Sequence, residues 1–417
     1  MMYKGKDVTK KINFIFESRT TLDPIKEYRS SKFFDYLEHI KAELPFSSNL
    51  IVVNEFTDVH FLKRDEVYVF VLPFVKPYIE RVGTKHNVQH LHALQDAYTQ
   101  QNVIILADYS HESSMPGPWK NAVREDGEGF AQWLECERYV LSTLGMTGHD
   151  NIDWHYPFKA VVPTFNFISA TIFEMMDYHK PGLAQPLPNI RKANNFNSRP
   201  YRYLILNRLA RRHRLEFLYE CHRKNILEKA IWNLQCPPGT DPSSGELAEF
   251  TNIYGTEPKY LQEPWTEWSK TMHHYIPINL LDQCEIYIGT DTFNDFFYNT
   301  PNDITNKPID SNKPMVYHDI SEKSIKGFFY GMPTFINNRP GTIKRLEQCG
   351  FWLPGDYDSI QHNRSRMRKL IDDAENFVLL PEHEEALEHN RQIVMDKQFH
   401  YDESKELFDT FLHLTNA

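Results

Sequence analysis

Ser321, Glu322 and Lys323 stand in line, with Lys326 one turn on and Gly331 beyond it. A carboxylate beside an ammonium, at what reads as a helix start, suits a ligand that carries both hydroxyl groups and phosphate. Glu322 can accept hydrogen bonds from hydroxyls. Lys323 and Lys326 can meet negative charge where the helix N-terminus already favours an anion. Ser-Glu-Lys before an apolar run is also how an ordinary helix begins, with Ser321 as cap and Glu322 in the first turn.

A second group able to do chemistry is Arg208, Arg211, Arg212, His213 and Arg214. It follows the strand-like run Tyr203-Leu204-Ile205-Leu206 and opens a helix expected over 212–224. Arginine grips phosphate oxygens through a planar fork, so a strand-to-helix turn rich in arginine makes a pyrophosphate clamp. The plain alternative is a solvated basic surface. Two metal patterns also need weighing. Asp356-Tyr357-Asp358 has the spacing that binds a divalent cation in some transferases, but it also reads as an aspartate-rich turn after Pro354-Gly355. His86, His90 and His92 have helical spacing but lack a further ligand to close a zinc set. No metal is expected.

The elements that must hold these groups follow from apolar runs. Val67 to Phe74 and Asn102 to Asp108 read as strands with a helix over 90–99 between them, the grammar of a parallel sheet. Further strands are expected over 13–16 and 50–53. A segment over 180–200 holds Pro181, Pro186, Pro188 and Pro200 and reads as a linker. The same grammar then restarts, with strands at 203–206, 284–289 and 334–336 and a closing helix at 401–414. The expected domains are 1–190, 191–400 and a final helix over 401–417.

Composition sets the limits. At 417 residues the chain exceeds the usual size of one core, and 41% hydrophobic and 14% aromatic residues describe a globular protein. No run of about 18 apolar residues occurs, and the polar start is unlike a signal peptide, so a cytoplasmic protein without a membrane partner is expected. The five cysteines are scattered without a CxxC pair and should be reduced thiols. A net charge of −10 argues against a surface that is basic all over, though not against a local basic cleft.

Order and spacing carry a resemblance. Leu204-Ile205-Leu206-Asn207-Arg208 with His213-Arg214-Leu215 resembles the "lNR…HR" segment of viral and bacterial glycosyltransferases of the GT-B architecture. Ile320-Ser321-Glu322-Lys323 resembles their "iTEK" motif, also seen in fucosyltransferase-type enzymes. Pro333-Thr334-Phe335-Ile336, then Leu346, Gly350-Phe351, Tyr357-Asp358 and Arg364 resemble the tail of phage-encoded members. The resemblance covers about residues 203–372. Its members often carry Glu where this chain has Asp291 in Gly289-Thr290-Asp291-Thr292.

The resemblance implies an α/β fold of the GT-B type, two Rossmann-like domains facing across a cleft. The C-terminal domain would hold a UDP-, GDP- or dTDP-sugar donor as co-substrate, with no other cofactor, through Arg208, Arg212, Arg214, Asp291, Glu322 and Lys323. Fixed cations and a helix N-terminus can stabilise the leaving nucleoside diphosphate without a metal. The acceptor hydroxyl would need a base, sought in the segment after the second strong strand: Glu112 first, then Asp108 and His111. A helix cap with incidental charges is the plain reading of that segment.

Phage members include enzymes that glycosylate hydroxymethylated bases of viral DNA, so 5-hydroxymethylcytosine in DNA is the expected acceptor. Lys120 and Arg124 near Trp119, and Arg191, Lys192 and Arg199 in the linker, are the cations that would face DNA. A glycan or lipopolysaccharide-type acceptor is the alternative, and a catalytically silent nucleotide-sugar-binding module is the reading from another class.

Overall fold

The computed structural model describes residues 11–17, 32–60, 62–73, 84–98, 102–109, 138–144, 159–164, 166–179, 186–207, 212–234, 276–290, 320–338, 341–360 and 363–416. The chain divides into two compact units, one of residues 1–173 with 397–417 and one of residues 174–396. Each is built on a parallel sheet flanked by helices, the α/β architecture expected from the alternating runs.

The first unit opens with β1 (Lys11–Glu17), α1 (Lys32–Ile40), β2 (Ser47–Val53), β3 (Val67–Pro73), α2 (Thr84–Tyr98) and β4 (Val103–Tyr109). It continues with β5 (Tyr139–Leu144) and β6 (Ala160–Thr164), while α3 (Asn166–Tyr178) runs on into the second unit. The strands form one six-stranded parallel sheet in the order β2-β1-β3-β4-β5-β6. β3 and β4 are runs of branched and aromatic residues because both faces of an inner parallel strand are covered. On one side Val88, Leu91 and Leu94 of α2 join Phe70, Ile105 and Tyr139 in a core. α2 begins at Thr84, well before the expected 90, because its first turns present Asn87 and His86 rather than an apolar stripe.

The second unit contains β7 (Tyr201–Asn207), α4 (Arg212–Arg223), β8 (Ala230–Leu234), α5 (Ile278–Leu281), β9 (Cys284–Thr290), α6 (Glu322–Phe329), β10 (Thr334–Asn337), α7 (Thr342–Gln348), α8 (Asn363–Asn376) and α9 (Pro381–Met395). Its sheet is four-stranded and parallel, in the order β10-β9-β7-β8. All seven residues of β9 are buried. The two sheets share a plan. In each, the first strand pairs with the second on one side and the third on the other, so the winding direction reverses between first and third. Ligands of doubly wound sheets bind outside the carboxyl ends of the strands at such a reversal.

The chain ends in α10 (Lys397–Asp402) and α11 (Lys405–Asn416), which return to the first unit. Phe408 and Phe411 of α11 pack on Phe46 and Phe14, and Tyr401 stacks on Phe408. The closing helix expected from the sequence is therefore a pair, broken by a turn at Glu403 and Ser404.

In the second unit α6 lies unusually close to its sheet. A Cβ on Gly327 would come within 2.2 Å of Thr334 Oγ1 and 2.6 Å of Tyr287 Cδ1, so only glycine lets the helix settle over β9 and β10. Gly327→Ala should lower the unfolding free energy by about 1–3 kcal/mol through overpacking. Denaturant titration of the two proteins measures this, and an alanine variant as stable as the wild type would contradict the close contact.

Candidate functional site at the carboxyl edge of the second sheet

Ser321 caps α6 in extended conformation, its Oγ accepting a hydrogen bond from Lys323 N at 3.2 Å. At the other end the N–H groups of Gly331 and Met332 bond to the carbonyls of Phe328 and Gly327, with Gly331 at φ 65. This is the Schellman stop, in which a residue with positive φ closes the last turn. Both ends of the helix are thus defined by sequence. Its place is defined by Gly289, where a Cβ would lie 2.6 Å from the backbone oxygen of Lys323. The first turn of α6, with Glu322 and Lys323, therefore rests on the last residues of β9.

Beside that contact three strands end in polar side chains. Asn337 is the register partner of Thr290. Ile205 pairs with Ile288, and continuing that register two residues puts Asn207 level with Thr290. Asn207, Thr290 and Asn337 thus form one rung across β7, β9 and β10. They share one face by strand alternation, opposite to the face on which Gly289 meets α6. All three are essentially buried, at 1%, 0% and 1% exposure. Among the described residues, neither side-chain atom of Asn207 or Asn337 has a hydrogen-bond partner, nor does Thr290 Oγ1. Asn233 on β8 uses its Oδ1 to accept from Asn207 N at 2.8 Å, while its Nδ2 is likewise unpartnered among them. Buried polar atoms are paired as a rule, so several on one rung at the winding reversal mark a place built for something other than packing.

The expected donor residues fall as follows. Glu322 and Lys323 lie in the first turn of α6, and Lys323 is half-buried. Arg212 and Arg214 lie in the first turn of α4, directly after the carboxyl end of β7, and the Arg214 side chain and neighbouring His213 are buried. Arg208 and Asp291 lie outside the described residues. Of the expected base residues, Glu112 and His111 also lie outside them. Asp108 is buried near the carboxyl end of β4 in the first unit, accepting a hydrogen bond from Ser142 Oγ of β5 at 2.8 Å. Asn207 and Thr290 stood inside motifs quoted for the resemblance without being named as site residues, and Asn233, Asn337 and Ser142 were not singled out from sequence. The available signal was a polar residue closing an apolar run, as in YRYLILN, CEIYIGT and TFIN.

Several candidate residues have structural duties instead. The Asp358 carboxylate accepts from Gly341 N at 3.0 Å, Ile343 N at 3.3 Å and Lys344 N at 3.1 Å, so it caps the start of α7. The Tyr357 hydroxyl accepts from Ile336 N at 2.9 Å and covers the outer edge of β10. Asp356 bonds through its backbone N–H to Asp373. The Asp-Tyr-Asp residues thus form a turn in which Asp358 serves as the cap of α7. His90 bonds to the carbonyl of Val59 and His92 to the hydroxyl of Tyr139, while His86 is exposed, so the three do not form a set. The linker cations are also committed. Arg191 is buried and donates to the carbonyls of Cys284 and Leu281, Arg199 pairs with buried Glu285, and Lys192 pairs with Glu384. Lys120, Arg124 and Trp119 lie outside the described residues. Cys221 and Cys284 are buried, and burial pushes the Cys284 thiol up to about 12, which removes it as a nucleophile.

The capping role of Asp358 is testable. Asp358→Ala should cost about 1–2 kcal/mol of stability, as loss of a helix cap does, while the response of the melting temperature to added Mg2+ or Mn2+ stays that of the wild type. A variant of undiminished stability would remove the cap.

No protein-family model and no curated protein sequence matches the chain. Among solved structures, a protein assigned as a UDP-N-acetylglucosamine 2-epimerase of Listeria monocytogenes aligns at 10% identity over 98% of each chain, with a TM-score of 0.37. Another UDP-N-acetylglucosamine 2-epimerase aligns at 10% identity over 95% of this chain and 98% of that one, with a TM-score of 0.32. Superpositions this loose carry no assignment.

Proposed function

We propose that the protein is a glycosyltransferase of the GT-B type that binds a nucleotide sugar at the carboxyl edge of its second sheet and transfers the sugar to an acceptor hydroxyl. The observation that carries this reading is that the α6 start and the polar rung reach the same carboxyl edge of β9 from its two faces. Lys323 and a helix N-terminus, suited to a diphosphate, lie beside buried amides and a hydroxyl suited to a neutral, hydrogen-bonding group. The arginine-rich start of α4 opens onto the same edge at the end of β7.

In the proposed reaction the acceptor hydroxyl gives its proton to a base, and Glu112, Asp108 and His111 are the candidates. Its oxygen bonds to the anomeric carbon as the bond from that carbon to the diphosphate breaks. The nucleoside diphosphate departs carrying the extra negative charge. Lys323, with the arginines at the start of α4, supplies fixed positive charge where that negative charge develops. No step needs a resident cofactor.

The acceptor put first is 5-hydroxymethylcytosine in DNA, on the strength of the resemblance to phage enzymes. The linker cations give it no support, because Arg191 is buried on backbone carbonyls, Arg199 pairs with buried Glu285 and the exposed Lys192 pairs with Glu384. A glycan is the alternative acceptor. The expected result is a hexose or pentose mass added to hydroxymethylated DNA and not to unmodified DNA, undiminished in EDTA, from one of a panel of UDP-, GDP- and dTDP-sugars. Mass appearing only on glycans would replace the acceptor and keep the chemistry. Donor binding without turnover would make the protein a silent module, and dependence on manganese would overturn metal independence. Lys323→Ala should weaken donor binding about tenfold or more, as loss of a charge-assisted contact to phosphate does. Unchanged affinity, read by calorimetry, would take Lys323 out of the site.

A further inference from the structure

We infer that the rung Asn207–Thr290–Asn337 is a subsite for a sugar ring held through adjacent hydroxyl groups. The inference rests on the nucleotide-sugar reading above and deepens it by naming which part of the ligand these residues take.

The chemistry of the rung narrows the choice. A carboxamide presents a donor and an acceptor, and a threonine hydroxyl does both. Asn207 and Asn337 offer both kinds of atom and Thr290 its hydroxyl, all without partners among the described residues. A phosphate or carboxylate would satisfy the N–H groups and leave the amide oxygens facing negative charge. The rung itself holds no cation, and at 0–1% exposure a buried anion would be costly there. A ring with neighbouring hydroxyls, each both donor and acceptor, matches all of these atoms. Strands lie about 4.8 Å apart, so the rung from β7 to β10 is about 10 Å long, enough for one ring with its substituents.

Position completes the argument. The rung and the first turn of α6 reach the same carboxyl edge from opposite faces of β9, at the consecutive residues Thr290 and Gly289, so a ligand lying over that edge can set a charged half at Lys323 and an uncharged half at Thr290. Two rings of a nucleotide sugar have this chemistry, the ribose and the sugar to be transferred. The subsite is closed to solvent in this structure, so binding must accompany an opening of the edge.

Thr290→Val tests this, because it removes the hydroxyl at nearly constant shape. Burying an unpaired hydroxyl is unfavourable, so the ligand-free variant should melt about 2 °C or more above the wild type. The same variant should bind a nucleotide sugar about tenfold more weakly while binding inorganic pyrophosphate as the wild type does. Asn337→Leu should behave alike. A 2′,3′-dideoxynucleoside diphosphate that binds the wild type weakly assigns the ring as ribose. One that binds like its parent assigns it as the transferred sugar. Variants that bind every probe like the wild type, or lose pyrophosphate and nucleotide sugar in equal proportion, would overturn the subsite. Should wild type bind free nucleosides or monosaccharides but no nucleotide sugar, the donor reading fails and the subsite stands. Binding of no sugar-bearing probe would sink both.

Discussion

The second unit depends on how closely α6 can lie on its sheet. Gly327 lets the helix body settle against Tyr287 and Thr334, and Gly289 lets the carbonyl of Lys323 touch the backbone of β9. With a side chain at either position the helix would ride higher, and its first turn would leave the strand ends. Contacts at the far end keep it in place. Arg391 of α9 donates to the carbonyl of Phe329 in α6 and to that of Pro188, and Gly331 has room only for hydrogen where Ile190 and Arg391 approach. These contacts hold the start of α6 at the carboxyl end of β9.

Around that contact the residues of the second unit divide into two kinds. Some build the frame. Gly350 and Phe351 close α7 by the same Schellman geometry that closes α6, and Phe351 then stacks on Phe328 at 4.8 Å, tying the two helices together. Tyr357 and Asp358 hold the edge of β10 and the start of α7, and Arg364 lies 3.9 Å from buried Glu220, which Arg368 grips with two donors. None of these needs to touch a ligand to matter. Asn207, Thr290 and Asn337 instead stand at strand ends with side-chain atoms that have no hydrogen-bond partner among the described residues.

That division explains what was legible in the residues. The helix at 322 could be read because a serine cap, an acidic first turn and a glycine stop are local signals that act over a few residues. The strong strands could be read because inner strands of parallel sheets must be apolar on both faces. β5, β6 and β8 were not foreseen: they are short, and threonine, serine or asparagine interrupts them. The cations of the 180–200 segment read as surface charge suited to DNA, yet Arg191 is buried among backbone carbonyls, a role set wholly by residues about 90 positions away.

By itself the sequence determined the strong inner strands, the start and stop of α6 and the α/β class with parallel strands, because these follow from periodicity and from backbone preferences within a turn or two. Only the tertiary structure decided which strand ends share a rung, and that α10 and α11 serve the first unit rather than the second. It alone decided that Asp358 caps the start of α7. Register and packing decide these matters. Asn207, Thr290 and Asn337 are 83 and 47 residues apart, and nothing in any one of those segments says that the other two lie beside it.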